Sequence, residues 1–254
     1  MDLRRFFGDN PRVAIAFSGG ADSSYLLYAA KAAGCEVRAY FMKSQFQPKS
    51  ELYSAGCLAD SIGVPMTVGT LDALGDPAIV QNSPDRCYHC KNAILRKIWE
   101  LARADGFAVL CDGTNADDNE SDRPGFRAQR EQGVVSPLRE CGLKKADIRR
   151  LSYIAGLLSH DKPSYSCLAT RIPVGTAITQ AILDKIESAE EALSCMGFSD
   201  FRVRFVPPCS ARLQFPDSQW DEAAARRIEI LETFQALFES TALDLYVRGH
   251  YGAY

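Results

Sequence analysis

The sequence predicts an α/β chain: a parallel, doubly wound nucleotide-binding domain followed by a smaller α+β domain. Three observations predict it. Short apolar runs alternate with amphipathic stretches through the first half, a glycine- and serine-rich turn follows the first run, and the texture changes near residue 175. Strands alternating with helices bury a mostly parallel sheet on both faces.

VAIAF (13–17) reads as the first strand, SGGADSS as a turn, and SYLLYAAKAAG as a helix stopped by Gly34. EVRAYFM and VPMTVGT read as further strands around the helix KSELYSAGCLADSIG. KNAILRKIWELARADG is a helix closed by Gly106, and FAVLCDGTN a fourth strand entering a polar loop. Beyond the PVG turn at 173–175, ITQAILDKIESAEEALSCMG reads as a helix with Thr179 as N-cap and Gly197 as stop. FRVRFV and ARLQF are paired strands, DSQWDEAAARRIEILETFQALFES one long helix, and ALDLYVRG a last strand. The expected domains are 1–174, which binds the nucleotide, and 175–254, which serves substrate binding and oligomerisation.

The chain has 254 residues, 46% hydrophobic, enough for a sizeable core. No apolar run reaches the roughly 20 residues of a membrane span, and MDLRRFFGDN is too polar for a signal peptide. A cytoplasmic location without a membrane partner is expected. A net charge of −3 argues against broad capture of nucleic acid. Nine cysteines in a reducing compartment point to thiols, metal ligands or catalysts rather than disulfides.

Ser18, Gly19, Gly20, Asp22, Ser23 and Ser24 form the first candidate site. Glycines let the backbone approach a ligand, the new helix offers free N–H groups to an anion, and the hydroxyls add donors. That suits the pyrophosphate of ATP. Asp22 is placed either to hold the accompanying Mg2+ or to cap the helix. The Walker pattern G-x-x-x-x-G-K-[ST] is absent. Gly113, in DGTN, ends a strand at the same ligand edge. In FRVRF the period of two puts Arg202 and Arg204 on one face, either as a phosphate clamp or as a solvated sheet face. Cys87 and Cys90 in RCYHCK lack a second C-x-x-C. Zinc with Cys167 and His89, a redox pair, inert thiols and cluster ligation all remain open. The other six cysteines are expected to be small buried hydrophobes.

SGGADSS resembles the S-G-G-x-D-S signature of the PP-loop ATP pyrophosphatases. RCYHCK, CDGTNADDNESDRPGFRAQREQGVVSPL, KPSYSCLATRIPVGTAIT and FRVRF together resemble, in order and spacing, the LarE family of sulfur transferases. The resemblance implies ATP-dependent adenylation of a carboxylate of pyridinium-3,5-biscarboxylic acid mononucleotide, then its conversion to a thiocarboxylate for the nickel-pincer nucleotide. It implies Cys167 as the catalytic thiol beside Arg171. Where C-x-x-C is present, it implies a 4Fe–4S cluster on Cys87, Cys90 and Cys167. Arg202, Arg204, Glu190 and Arg212 fall at positions matching the mononucleotide pocket, and Arg123-Pro124-Gly125 matches the family's R-P-G. Thr170 and Val174 stand where the family often has Ser and Tyr. Sulfide or a donor protein is the implied sulfur source, and a homo-oligomer the implied assembly. A PP-loop tRNA thiolase is the alternative.

Overall fold

A computed structural model describes residues 2–119, 124–163 and 165–244. In chain order it contains α1 (Leu3–Asp9), β1 (Arg12–Ala16), α2 (Ala21–Ala32), β2 (Glu36–Lys43), α3 (Lys49–Ile62), β3 (Met66–Thr70) and α4 (Pro77–Val80). Then come α5 (Arg86–Ala104), β4 (Leu110–Asp112), α6 (Gly125–Glu131), α7 (Pro137–Glu140) and α8 (Lys145–Ile154). A 3-10 turn, Leu168–Arg171, leads to α9 (Gln180–Cys195), β5 (Arg202–Val206), β6 (Ser210–Gln214), α10 (Asp217–Ala225), α11 (Arg227–Phe234) and β7 (Ser240–Leu243).

Two compact units emerge: Met1–Ala73 with Asp85–Ser164, and Leu74–Pro84 with Tyr165–Tyr254. The sequence placed one boundary between residues 174 and 175; the contacts place it between 164 and 165 and give residues 74–84 to the second unit. Hydrogen bonds explain the difference. The buried Asn82 amide donates to the Pro173 and Thr176 carbonyls at 2.8 and 3.0 Å. The Gly175 and Ile178 N–H groups donate to the Asn82 and Val80 carbonyls. The PVG turn is therefore held inside the second unit.

In the first unit all strand pairs are parallel, in the order β3-β2-β1-β4. This is the α/β architecture the sequence predicts. Alternation along β1 sends Val13 and Ile15 into one buried cluster with Leu26, Leu27 and Ala55. Ala14 faces the opposite cluster, with Leu95, Ile98, Trp99 and Leu110. Helices thus cover both faces of the sheet, which is why its strands read as unbroken apolar runs. Helix α5 begins at Arg86, so the cysteine pair lies in its opening turns rather than before it.

The second unit has a three-stranded sheet, with β5 antiparallel and β7 parallel to the central β6. The Thr179 hydroxyl accepts the Ile182 N–H at 3.3 Å and caps α9 as expected. The expected long helix is two helices. Between them Arg226 leaves helical geometry while its guanidinium holds the Met196 carbonyl, Glu222 and Glu229. The last strand starts earlier than expected, at Ser240, and residues 245–249 of ALDLYVRG lie outside the described residues. So does Arg123 of R-P-G. Among the other cysteines, Cys35 and Cys111 are buried as expected, but Cys57 and Cys195 are exposed. Among the described residues no helix is long and apolar enough to cross a membrane.

Candidate active site

In the first unit, β1 and β4 run side by side with Ala16 opposite Asp112. The segments after both strands therefore leave the sheet together, at the point where strand order reverses, as ligand sites of open α/β sheets do. A cavity of about 490 Å³ opens there, lined among others by Ser18, Gly20, Asp22, Ser23, Gly113 and Cys87. Gly19 and Ser24 support it from behind. Gly19 sits at φ 71°, and a Cβ there would lie 3.0 Å from the Ala55 Cβ. Ser24 is fully buried beneath the loop, its hydroxyl without a hydrogen-bond partner among the described residues. A Cβ at Gly113 would come within 2.8 Å of the Ser23 backbone nitrogen, so only glycine lets β4 end against the start of α2. The Ser18 and Ser23 hydroxyls lie 3.1 Å apart, and the 12-residue α2 aims its free N–H groups at this edge.

Asp22 does not cap α2. One of its oxygens, Oδ2, accepts the Asn115 amide at 3.2 Å, while Oδ1 is buried with no hydrogen-bond partner among the described residues. Burial, with Asp118 as a lesser like-charged neighbour, raises its pKa above the ordinary 3.8; Asn115, Lys145 and Arg149 oppose that rise. A buried orphan oxygen on an acidic side chain at a cavity wall fits a hard divalent cation such as Mg2+. Asp112 is different. Its carboxylate accepts the Thr114 N–H, the Thr114 and Ser136 hydroxyls and the Gln129 amide, so its acceptor sites are occupied. It anchors the loop.

Cys87 and Lys91, four apart on α5, both line the cavity, and Arg86 donates to the Cys87 thiol at 3.4 Å. Cys90 is half-buried, one turn along from Cys87. Among the described residues no group of three or more His, Cys, Asp or Glu side chains is gathered as a metal centre requires. The helical pair offers two thiols and is not by itself a complete cluster site.

The second unit concentrates arginines. Arg171, 1% exposed, forms a two-pronged bond to Glu190, Nε to Oε1 at 2.9 Å and Nη2 to Oε2 at 3.1 Å. Its remaining nitrogen donates to Ser166, Thr170 and the Cys167 carbonyl. Thr170 also donates to that carbonyl, through both N–H and hydroxyl, so the backbone at half-buried Cys167 is pinned. Tyr165 donates to Glu190 at 2.8 Å and lies under the guanidiniums of Arg171 and Arg202. Arg204 donates to Gln214 and to the Thr170 carbonyl, and Arg212 pairs with Asp244 at 3.3 Å. Burial, reinforced by Arg171, lowers the Arg202 pKa to about 10, which still leaves it charged at neutral pH. Arg202 is buried and Arg204 half-buried, so this is no solvated face.

Glu190→Gln is expected to cost about 3–5 kcal/mol, because it leaves the buried Arg171 charge without its counter-ion. Urea unfolding followed by fluorescence measures it. A loss under about 1 kcal/mol, the worth of an exposed pair, contradicts the buried geometry.

Comparison with known proteins places this arrangement. A tRNA methyl transferase HUP domain family matches residues 11–68, the span carrying β1, the glycine loop and α2. An uncharacterized protein of Synechocystis sp. is 32% identical over 98% of this chain and 94% of its own length. Pyridinium-3,5-bisthiocarboxylic acid mononucleotide synthase of Lactiplantibacillus plantarum is 32% identical over 93% of this chain and 87% of its own. This chain belongs to the LarE family. LarE proteins are ATP-dependent sulfur transferases of the PP-loop superfamily. The tRNA-specific 2-thiouridylase MnmA of Pseudothermotoga lettingae, 28% identical over 59% of the chain and 54% of its own length, shares the PP-loop domain more distantly.

In this LarE chain, sequence reasoning overlooked Lys91, Gln129 and Lys162. Lys91 had a signal: it follows Cys87 by one helical turn once α5 is extended to Arg86. Lys162 had none, because its partners at Gly19, Glu51 and Ser54 are more than a hundred residues away.

Proposed function

We propose that this enzyme adenylates a carboxylate of pyridinium-3,5-biscarboxylic acid mononucleotide and converts it to the thiocarboxylate, a step of nickel-pincer nucleotide synthesis. The observation that carries the reading is the match to the mononucleotide synthase along nearly the whole chain. In the first step a carboxylate oxygen attacks the α-phosphorus of ATP and pyrophosphate leaves. In the second, hydrosulfide adds to the acyl carbon, AMP leaves, and a proton is released. Ser18, Gly20 and Ser23 bind the departing pyrophosphate, with Gly19, Ser24 and Gly113 fixing the loop. Asp22, through Oδ1, holds Mg2+.

Arg202 and Arg204 bind the mononucleotide phosphate, with Arg212 beside them. Arg171 and Glu190 hold that strand and the Cys167 segment in place. The N-terminal unit activates the nucleotide, the C-terminal unit binds substrate, and the chain works as a homo-oligomer. Cys87, Cys90 and Cys167 would hold a 4Fe–4S cluster, and the chemistry it would supply is a site for exogenous sulfide. Sulfide or a donor protein provides the sulfur.

The test is incubation with ATP, Mg2+, sulfide and the biscarboxylic mononucleotide, followed by mass spectrometry. AMP and a thiocarboxylate product are expected. The tRNA thiolase reading rests on the PP-loop relatives; thiolated tRNA and no thiocarboxylate is the result that selects it. Arg202→Ala and Arg204→Ala are expected to weaken mononucleotide binding about ten- to hundredfold, the worth of a charge-assisted hydrogen bond, and to leave ATP binding unchanged. Equal losses for both ligands place these arginines elsewhere.

A further inference from the structure

The lysine behind the glycine loop has no part in the scheme above, and its three bonds show what it does. Lys162 Nζ donates to the Gly19 carbonyl at 3.1 Å, to Glu51 Oε2 at 3.1 Å and to Ser54 Oγ at 3.0 Å. An ammonium has three protons, and all three are used. Both side chains of the Lys162–Glu51 pair are about four-fifths buried, with 20% and 18% exposed, so the pair is screened less than a surface one. Glu51 and Ser54 both stand on α3, next to the Ala55 that packs against Gly19. The lysine's own carbonyl accepts Arg149 of α8 at 3.2 Å, which fixes the segment carrying it.

We infer that Lys162 is a positioning residue of the nucleotide site, one that sets the orientation of the peptide between Gly19 and Gly20. A trans peptide is planar, with its C=O and N–H pointing opposite ways. Drawing the Gly19 carbonyl toward α3 therefore turns the Gly20 N–H away from α3, and Gly20 lines the cavity. Among the described residues that N–H meets only the Ser18 hydroxyl, at a long 3.4 Å. A phosphate oxygen is a far better acceptor. Glycine at both positions leaves the peptide free to flip, and at Gly19, with φ 71°, it is needed. The lysine removes that freedom. Its charge is balanced by Glu51, so it strengthens anion binding through the direction of a backbone dipole rather than as a free cation.

This inference rests on the proposed nucleotide site, and the experiment separates the two. Binding of Mg2+ with a non-hydrolysable ATP analogue is measured by calorimetry for Lys162→Met, Glu51→Gln, Ser54→Ala, the Lys162→Met/Glu51→Gln double variant and Gly113→Ala. Lys162→Met is expected to weaken binding about tenfold or more, with KM for ATP rising and kcat changing little. Glu51→Gln and Ser54→Ala should weaken it in the same direction. The double variant should lose no more than Lys162→Met alone, since all act through one carbonyl. Should Lys162→Met not fold, the Glu51 and Ser54 variants carry the test.

Two outcomes overturn the inference. One is an affinity within about threefold of the parent for Lys162→Met. The other is a large loss there with unchanged or tighter binding in Glu51→Gln, which means the lysine touches phosphate directly. If Gly113→Ala also binds normally, the nucleotide-site assignment itself has failed.

Discussion

Asp22→Ala is expected to abolish release of AMP while leaving the protein folded. The residue contributes little to holding the fold: among the described residues Oδ1 is buried with no hydrogen-bond partner, and Oδ2 accepts the Asn115 amide. Its cost and its use have the same origin. Burial disfavours the charged form, which raises the pKa, and a bound divalent cation removes the penalty. The sign for stability follows. A carboxyl whose pKa is higher in the folded than in the unfolded chain binds more protons when folded, so stability falls as pH rises above 3.8 through the raised value. At neutral pH Asp22→Asn should therefore melt at a higher temperature than the parent, with the gain vanishing below pH 3.8. The same variant should bind Mg2+ and ATP poorly. Adding Mg2+ and ATP should stabilise the parent and not the variant. AMP production by Asp22→Ala at the parent's rate shows that the carboxylate holds no metal, and a variant that melts lower at neutral pH shows that it is not strained.

The first unit was legible because its determinants are local. Apolar runs, a glycine turn and a helix stop each lie within a few residues, and the parallel sheet follows from their alternation. Gly113 was legible from its place at a strand end, but its reason was not: the close approach to Ser23 joins segments ninety residues apart in sequence. The arginine strand was read by period alone, which placed two guanidiniums on one face. It could not show that Arg171 is taken up by Glu190, or that Tyr165 lies under two of the arginines. Such pairings depend on tertiary distance. The division of the chain was misplaced for the same reason, since the Asn82 amide, not a linker composition, fixes the turn at 173–175.

The cysteine variants separate a renewable sulfur source from a sacrificial one. Cys87 and Cys90 are one turn apart on α5, and Cys87 lines the cavity beside the glycine loop. Cys167 lies in the other unit, its backbone pinned through the carbonyl by Thr170 and Arg171. A pinned main chain at a half-buried cysteine fixes the position from which its thiol acts. Replacing any one of the three with Ala is expected to remove bound iron and to end multiple turnover, since two thiolates hold a cluster poorly. The single variants should nevertheless differ. Without iron, Cys167 can attack an adenylated carboxylate as a thiolate, expelling AMP to form a thioester. β-Elimination then breaks its Cβ–S bond, releasing the thiocarboxylate and leaving dehydroalanine. Cys87→Ala and Cys90→Ala should therefore complete a single turnover, and Cys167→Ala none. The spent chain records the event as a loss of about 34 Da at residue 167, the mass of the hydrogen sulfide removed. Iron analysis after anaerobic purification, product counts per chain and peptide mass mapping read the three consequences independently. Repeated turnover by a Cys87→Ala/Cys90→Ala double variant overturns the cluster assignment, and an unmodified Cys167 after its single turnover overturns the sacrificial route.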